Sequence, residues 1–177
     1  MDVRQTVQKI LVTCGGTDMK GLSLKILRGL KPFLKEIEVI FVRGFDFKFQ
    51  SELTQLLKEV EAITVLNNVK DMRTLMQSVD VAIASGGMTM YELATLGIPT
   101  IILDQYAHQD EFATELAKQN VLINLGLGKN VKPEAIENAV VEILPFEKRK
   151  TMSLAARKAI DGQGTKRVAN IIQEVAA

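Results

Sequence analysis

The chain has 177 residues, 47% of them hydrophobic and 24% charged, which is the composition of one ordinary globular domain. Its 22 basic residues nearly balance its 21 acidic ones, and aromatics make up only 5%, so composition argues against a nucleic-acid partner. The only cysteine is Cys14 and the first residues are polar, which favours a cytoplasmic protein. No apolar run approaches the ~20 residues that span a bilayer, so we expect no integral membrane segment.

Short apolar runs alternate with amphipathic segments along the chain, which predicts alternating strands and helices. The predicted strands are residues 9–13, 38–42, 62–66, 79–84, 99–103 and 121–124. The predicted helices cover residues 22–30, 53–60, 72–79, 91–96, 109–118 and 132–144, and a further helical stretch is broken at 161–164. Apolar strands separated by helices predict a doubly wound, Rossmann-like α/β domain with a parallel sheet of about six strands, spanning residues 1–177.

Two glycine pairs, each between a predicted strand and a predicted helix, are candidate ligand-binding turns. Gly15 and Gly16 follow the first strand, and Gly86 and Gly87 follow the fourth. Glycine lets the backbone turn sharply and approach a ligand, and a helix N-terminus favours an anion. In the strand order 3-2-1-4-5-6 these strands are neighbours at the topological switch point, where doubly wound folds bind ligands. A tight turn capped by a neighbouring side chain is the structural alternative.

Polar side chains near these turns are further candidates. Thr17 could donate its hydroxyl to a phosphate or, like Asp18, cap the next helix. Glu92 lies about one helical turn beyond the second glycine pair, where a carboxylate could accept hydrogen bonds from ribose hydroxyls. The only histidine, His108, is a weak catalytic candidate, since a lone loop histidine is more often a surface residue. Thr165 is predicted to cap the last helix. The carboxylates of Asp104, Asp110 and Glu111 could act as acid or base, and solvation and helix capping are the structural alternatives.

The ordered segments GGTD, NNVKDMRTLMQSVDVAIASGGMTMYELATLGIPTIIL, HQ and DGQGTKRV resemble the carboxyl-terminal, nucleotide-binding half of GT-B nucleotide-sugar enzymes. The nearest relatives by resemblance are the UDP-sugar hydrolases of pseudaminic-acid biosynthesis and the spore-coat polysaccharide proteins. The peptidoglycan glycosyltransferases that act on lipid I are more distant. The resemblance covers nearly the whole chain and implies a UDP-sugar or other nucleotide-sugar as the ligand.

The resemblance also assigns contacts to that ligand. They are Gly15, Gly16 and Thr17 for the diphosphate; Ser85, Gly86, Gly87, Met88 and Thr89 for the phosphates; Glu92 for the ribose; Asn68, Val69 and Met72 for the uracil; and Gln109 for the sugar or phosphate. Neither a metal motif nor a GxGxxG fingerprint is present in the sequence, so we expect no metal ion and no cofactor.

In the resembling hydrolases, a catalytic histidine lies in an amino-terminal domain that has no counterpart here. We therefore expect a donor-binding domain of a GT-B hydrolase or glycosyltransferase of surface polysaccharide or nonulosonic-acid biosynthesis, inactive by itself. One alternative is a non-catalytic donor-binding subunit of a two-chain glycosyltransferase. Another is an unrelated Rossmann-like domain that binds NAD or flavin, against which the missing GxGxxG counts.

Overall fold

The computed structural model describes residues 3–60 and 62–176. Its strands are β1 (Lys9–Thr13), β2 (Glu38–Arg43), β3 (Ile63–Asn67), β4 (Val81–Ser85), β5 (Thr100–Asp104) and β6 (Ile123–Leu127). Its α-helices are α1 (Leu22–Gly29), α2 (Gln50–Glu59), α3 (Met72–Gln77), α4 (Met88–Leu96), α5 (Ala107–Lys118), α6 (Pro133–Ile143), α7 (Phe146–Ala159) and α8 (Gly164–Ala176). A 3₁₀ turn over Lys31–Phe33, with its proline in the first turn, follows α1.

The strands form one parallel sheet in the order β3-β2-β1-β4-β5-β6. This confirms the predicted doubly wound, Rossmann-like fold and its six strands. Strands β4 and β5 are buried along their whole length because helices cover both faces, as their apolar sequences require. The order reverses between β1 and β4, so the carboxyl ends of these two strands lie side by side.

Alternation along each strand divides the core into two layers. Ile10 and Val12 of β1 point to one side, where they join buried residues of α1, α2 and α6. Leu11 points to the other side, where it packs with buried residues of α3, α4 and α5. The two layers fix the sheet rigidly between helices, and therefore fix the loops that leave its carboxyl edge.

Several predicted boundaries are wrong, most clearly at β6. The prediction placed this strand at residues 121–124, whereas it covers Ile123–Leu127. Val121 and Leu122 are buried but belong to the turn after α5, where Asn120 has φ 59° and the N–H of Val121 donates to the carbonyl of Leu116. Apolar sequence there signals burial rather than a strand.

Helix starts were also placed too late in the chain. The helix after the second glycine pair begins at Met88, not at residue 91, and α5 begins at Ala107, not at residue 109. The strand before that pair starts at Val81 rather than at residue 79. Thr165 is not an N-cap, because α8 already begins at Gly164. The consequence for the site is that the first turn of α4 starts immediately after the glycines.

The last helix differs from all the others in its packing. None of the described residues of α8 is buried, and four apolar side chains on it are exposed: Val168, Ile171, Ile172 and Val175. Their spacing puts them along one face of the helix. Within residues 3–60 and 62–176, no helix combines the length and the apolar character that crossing a bilayer demands.

Candidate functional site

The two glycine turns emerge next to each other from the sheet. Thr13 pairs with Ala84 at the end of the β1–β4 ladder, so the residues after both strands share one edge. The loop after β5 joins them, because the side-chain amide of Gln105 donates to the carbonyl of Cys14 over 3.2 Å. The candidate site is therefore built from the loops that follow β1, β4 and β5.

The first turn is held from behind by the residues that follow β2. Gly15 has φ 79°, and the N–H of Asp46 donates to the carbonyl of Gly16 over 3.0 Å. A Cβ on Gly44 would lie 2.2 Å from that same carbonyl oxygen, so only glycine allows this approach. The ring of Phe45 lies against Gly16 while remaining 86% exposed. Sequence reasoning missed Phe45, since nothing in its neighbourhood marks it as a site residue.

The start of α1 is already occupied by a carboxylate of the chain itself. Asp18 accepts hydrogen bonds from the N–H groups of Leu22 (2.8 Å) and Ser23 (3.0 Å) and from the Ser23 hydroxyl (2.5 Å). Burial, outweighing these hydrogen bonds, raises the pKa of Asp18. Thr17 lies half-buried beside it. Because Asp18 uses these donors, the first turn offers a ligand its loop backbone rather than the end of α1.

The second turn leads into a helix whose end is open. Gly87 is the N-cap residue of α4 with φ 134°, and no described side chain caps this helix. Ser85 and Gly86 are buried beneath the turn, whereas Met88 is 74% exposed. The first N–H groups of an α-helix have no partner within the helix, and its dipole favours negative charge at that end. This helix start, unlike that of α1, is available to an anion.

The side chain of Gln109 reaches the same turn from α5. Its Oε1 accepts from the N–H groups of Gln105 (2.9 Å) and Tyr106 (3.3 Å), which fixes the amide. Its Nε2 lies 3.7 Å from the point that a Cβ on Gly87 would occupy. The structure thus brings Gln109 to the second glycine turn, while its contact with the sugar or phosphate stays a prediction.

Asp104, the last residue of β5, lies directly under this turn. It is 1% exposed, and neither of its carboxylate oxygens has a hydrogen-bond partner among the described residues. Burial, followed by the negative charge of Asp110, raises the pKa of Asp104 to about 7. The alternative that this residue serves in solvation or capping is therefore wrong.

A groove of about 840 Å³ runs along one face of α4, away from the turn. It is lined by Met72, Arg73, Met76, Met88, Tyr91, Glu92, Thr95, Leu96, Arg167 and residues 159–165. Of the predicted contacts, Met72, Met88 and Glu92 lie in it, while Asn68 and Val69 lie in the turn before α3, outside its lining. Residues 161–165, for which a structural role was the favoured prediction, form one wall of the groove. Arg73 was missed, although its place beside Met72 at a helix start was a usable signal.

His108 lies at the start of α5 on the exposed side of the loop. Its ring stacks on that of Tyr106, with centroids 5.8 Å apart and planes 6° apart. In the part of the chain that the structure describes, no group of three or more His, Cys, Asp or Glu side chains could hold a metal ion. The catalytic role of His108 stays a prediction.

The chain is thus a doubly wound α/β domain with an uncapped helix start and a fixed amide at its topological switch point, and a groove along the helix that starts there. Residues 9–175 match the family described as the glycosyltransferase family 28 C-terminal domain. The chain belongs to this family, as the resemblance to the carboxyl-terminal half of GT-B enzymes predicted.

Individual relatives agree with this assignment. The spore coat polysaccharide biosynthesis protein SpsG of Bacillus subtilis (strain 168) is 30% identical over 176 residues, which are 98% of this chain and 52% of SpsG. The chain therefore spans about half the length of that protein.

Solved structures show the same fold at lower sequence identity. Acinetobacter baumannii MurG superposes with a TM-score of 0.79 at 20% identity, over 95% of this chain and 50% of MurG. The S. aureus MnaA–UDP co-structure gives 0.73 at 13% identity, over 97% of this chain and 47% of that one.

Proposed function

We propose that this chain binds the nucleoside diphosphate part of a nucleotide-sugar, most simply a UDP-sugar, as the donor-binding half of a GT-B enzyme. The diphosphate lies at the Gly86–Gly87 turn and the start of α4, and the nucleoside lies in the groove beside Glu92. The enzyme is a glycosyltransferase or a nucleotide-sugar hydrolase of surface polysaccharide or nonulosonic-acid biosynthesis. We place the reaction in the cytoplasm, where composition and the lone cysteine favour it.

The uncapped start of α4 is the observation that carries this proposal. Its open N–H groups and dipole suit a diphosphate, and Gln109 supplies a fixed amide donor next to Gly87. Glu92 lies one turn further along the same face of α4, in a groove of about 840 Å³, a volume typical of small-molecule sites. A carboxylate at that place accepts hydrogen bonds from the two ribose hydroxyls.

The preference for UDP rests on the resemblance and on one structural neighbour, MnaA, which was solved with UDP. The assignment to polysaccharide biosynthesis rests on the name of SpsG and on the resemblance. Whether the acceptor of the sugar is water or another hydroxyl depends on groups outside this chain, so both reactions stay within the proposal.

Chemically, the chain supplies half of what sugar transfer needs. Breaking the glycosidic bond to a nucleoside diphosphate leaves negative charge on its terminal phosphate oxygen. Backbone donors and the end of α4 stabilise that charge without reorganising, because they are already fixed in place. The base that activates water or an acceptor hydroxyl comes from a second, amino-terminal half. We therefore expect the chain alone to bind nucleotide without releasing or transferring sugar.

The exposed apolar face of α8 supports the need for a second half. Four apolar side chains on one helix, more than half exposed each, are unusual on a free surface. If the second half is a separate polypeptide, the chain is the donor-binding subunit of a two-chain enzyme. Co-purification of this chain with a second polypeptide as an active pair would indicate two subunits. Activity of a single longer polypeptide would indicate that both halves belong to one chain.

Calorimetric titration of the chain with UDP, and with ADP, GDP and CMP in parallel, tests the proposed function. We expect selective binding of UDP. Glu92→Ala removes hydrogen bonds between a charged group and the ribose, so its affinity for UDP is expected to fall roughly ten- to hundredfold.

Glu134→Ala is the matched control, because Glu134 is also an exposed helical glutamate but lies on α6, which packs against the other face of the sheet. Its affinity is expected to equal that of the unmodified chain. Equal losses in both variants, or tight binding of NADH with none of UDP, would contradict the proposal.

A further inference from the structure

The buried carboxyl of Asp104 has an unusual place for an acid. The main-chain carbonyl of Asp104 accepts from the N–H of Gly128 over 2.8 Å, so the backbone is satisfied. The side chain is not: both oxygens are buried without a hydrogen-bond partner among the described residues. An ionised carboxylate in such a place is costly, whereas a neutral carboxylic acid is tolerated far better.

This carboxyl touches the turn that is proposed to bind the diphosphate. A Cβ on Gly86 would lie 1.9 Å from Oδ1 of Asp104 and 2.9 Å from Cβ of Gln109, so the carboxyl is packed between the turn and α5. Gly87, the N-cap residue of α4, is the next residue along the turn. A negative charge on Asp104 would therefore act on an anion at the same helix start.

Other titratable groups surround this edge of the sheet. Asp110 on α5 adds negative charge and helps to raise the pKa of Asp104 to about 7. Asp18 and Cys14 border the first turn, and burial raises the pKa of both. Lys25 on α1 donates to the carbonyl of Gly128, next to the backbone of Asp104.

His108 lies at the exposed start of α5, with its ring stacked on that of Tyr106. A variant of this histidine separates any contribution of its side chain to the pH dependence from that of Asp104.

We propose that the Gly86–Gly87 turn binds its diphosphate together with a proton held on the buried carboxyl of Asp104. This inference rests on the proposed function and adds a proton to its binding step. By linkage, the bound diphosphate favours the neutral acid, and the neutral acid favours the diphosphate. Affinity is then highest below pH 7 and falls as the pH rises above it.

The probe is UDP-N-acetylglucosamine, because its diphosphate is a diester and keeps the same charge between pH 6 and 8.5. We expect the affinity of the chain for this probe to fall on the order of tenfold over that interval. Uptake of one proton can change the affinity by at most about tenfold per pH unit. Asp104→Asn keeps a neutral side chain of the same shape, so its affinity is expected to be independent of pH. His108→Gln is expected to retain the pH dependence.

A second measurement uses the unmodified chain and so does not depend on the folding of a variant. The binding enthalpy at pH 8 in two buffers of different ionisation enthalpy reports the protons taken up, which we expect to approach one. Constant affinity without proton uptake, or loss of the pH dependence in His108→Gln, would overturn the inference while leaving the proposed function intact. Absence of binding at every pH would overturn both.

Discussion

At Gly86 the structure leaves no room for a side chain. A Cβ there would lie 1.9 Å from Oδ1 of Asp104, and both groups are buried. Gly86→Ala is therefore expected to lower the free energy of unfolding by about 1–3 kcal/mol, through overpacking. Urea denaturation followed by circular dichroism measures the change.

Gly164→Ala is the matched control, since nothing lies within 4 Å of its Cβ position and it begins a helix. The control is expected to be neutral or slightly stabilising, because alanine favours helix. Equal stability of Gly86→Ala and the unmodified chain would show that the turn and Asp104 are not packed as described.

The raised pKa of Asp104 also predicts how the stability of the ligand-free chain depends on pH. Its pKa in the fold is about 7, above the ordinary value of 3.8, so the folded state binds the proton more tightly than the unfolded state. The contribution of Asp104 to the free energy of unfolding is therefore greatest below pH 4 and is lost as the pH rises towards 7. The loss over the whole window is on the order of 4 kcal/mol.

Urea denaturation at several pH values compares the unmodified chain with Asp104→Asn. The variant lacks the titrating group, so the difference in unfolding free energy between the two proteins should shift in favour of the variant as the pH rises from 4 to 7. A difference that stays constant over this window would mean that Asp104 titrates normally in the fold.

Among the elements, α8 stands apart from the core. It contributes no buried side chain among its described residues, although residues at its start line the groove. Deleting residues 164–177 is therefore expected to change the unfolding free energy by less than ~0.5 kcal/mol, as for other surface changes. A replacement in the core serves as the positive control: Ile136→Ala in α6, whose side chain is fully buried, is expected to cost about 2–5 kcal/mol. A comparable loss on deleting α8 would contradict its peripheral place.

The sequence predicted the elements well where pattern and burial coincide, as in β1 and β4, whose apolar runs are buried throughout. It failed at β6, where the strand contains Asn124 and Gly126 while the more apolar Val121 and Leu122 lie in a turn. Local pattern reports burial, and only the parallel pairing with β5 decides which buried residues form the strand.

The site, like the strands, was predictable where its signals are local in the sequence. A strand, a glycine pair and a helix in succession are local signals, and the strand order then brings the two turns together. Two other features are not encoded locally, because they depend on contacts between different loops. They are the packing of Asp104 against Gly86 and that of Phe45 against Gly16. The cap of α1 by Asp18 was weighed only as one alternative, since sequence alone does not show which side chain reaches the helix start.

For the molecule as a whole, the described surfaces suit half of a two-part enzyme. The open start of α4, the groove and the apolar face of α8 are all exposed, and SpsG is about twice as long as the region it shares with this chain. Under the proposed function, a base in the second half completes the sugar transfer.

We propose that a nucleoside diphosphate binds at the start of α4. Titration of the ¹⁵N-labelled chain with UDP, followed by NMR of the backbone amides, locates the bound nucleotide on the structure. We predict that the largest shifts occur at Gly86, Gly87, Met88 and Thr89. Shifts confined to the opposite edge of the sheet, around Asp80, would rule out binding at the start of α4.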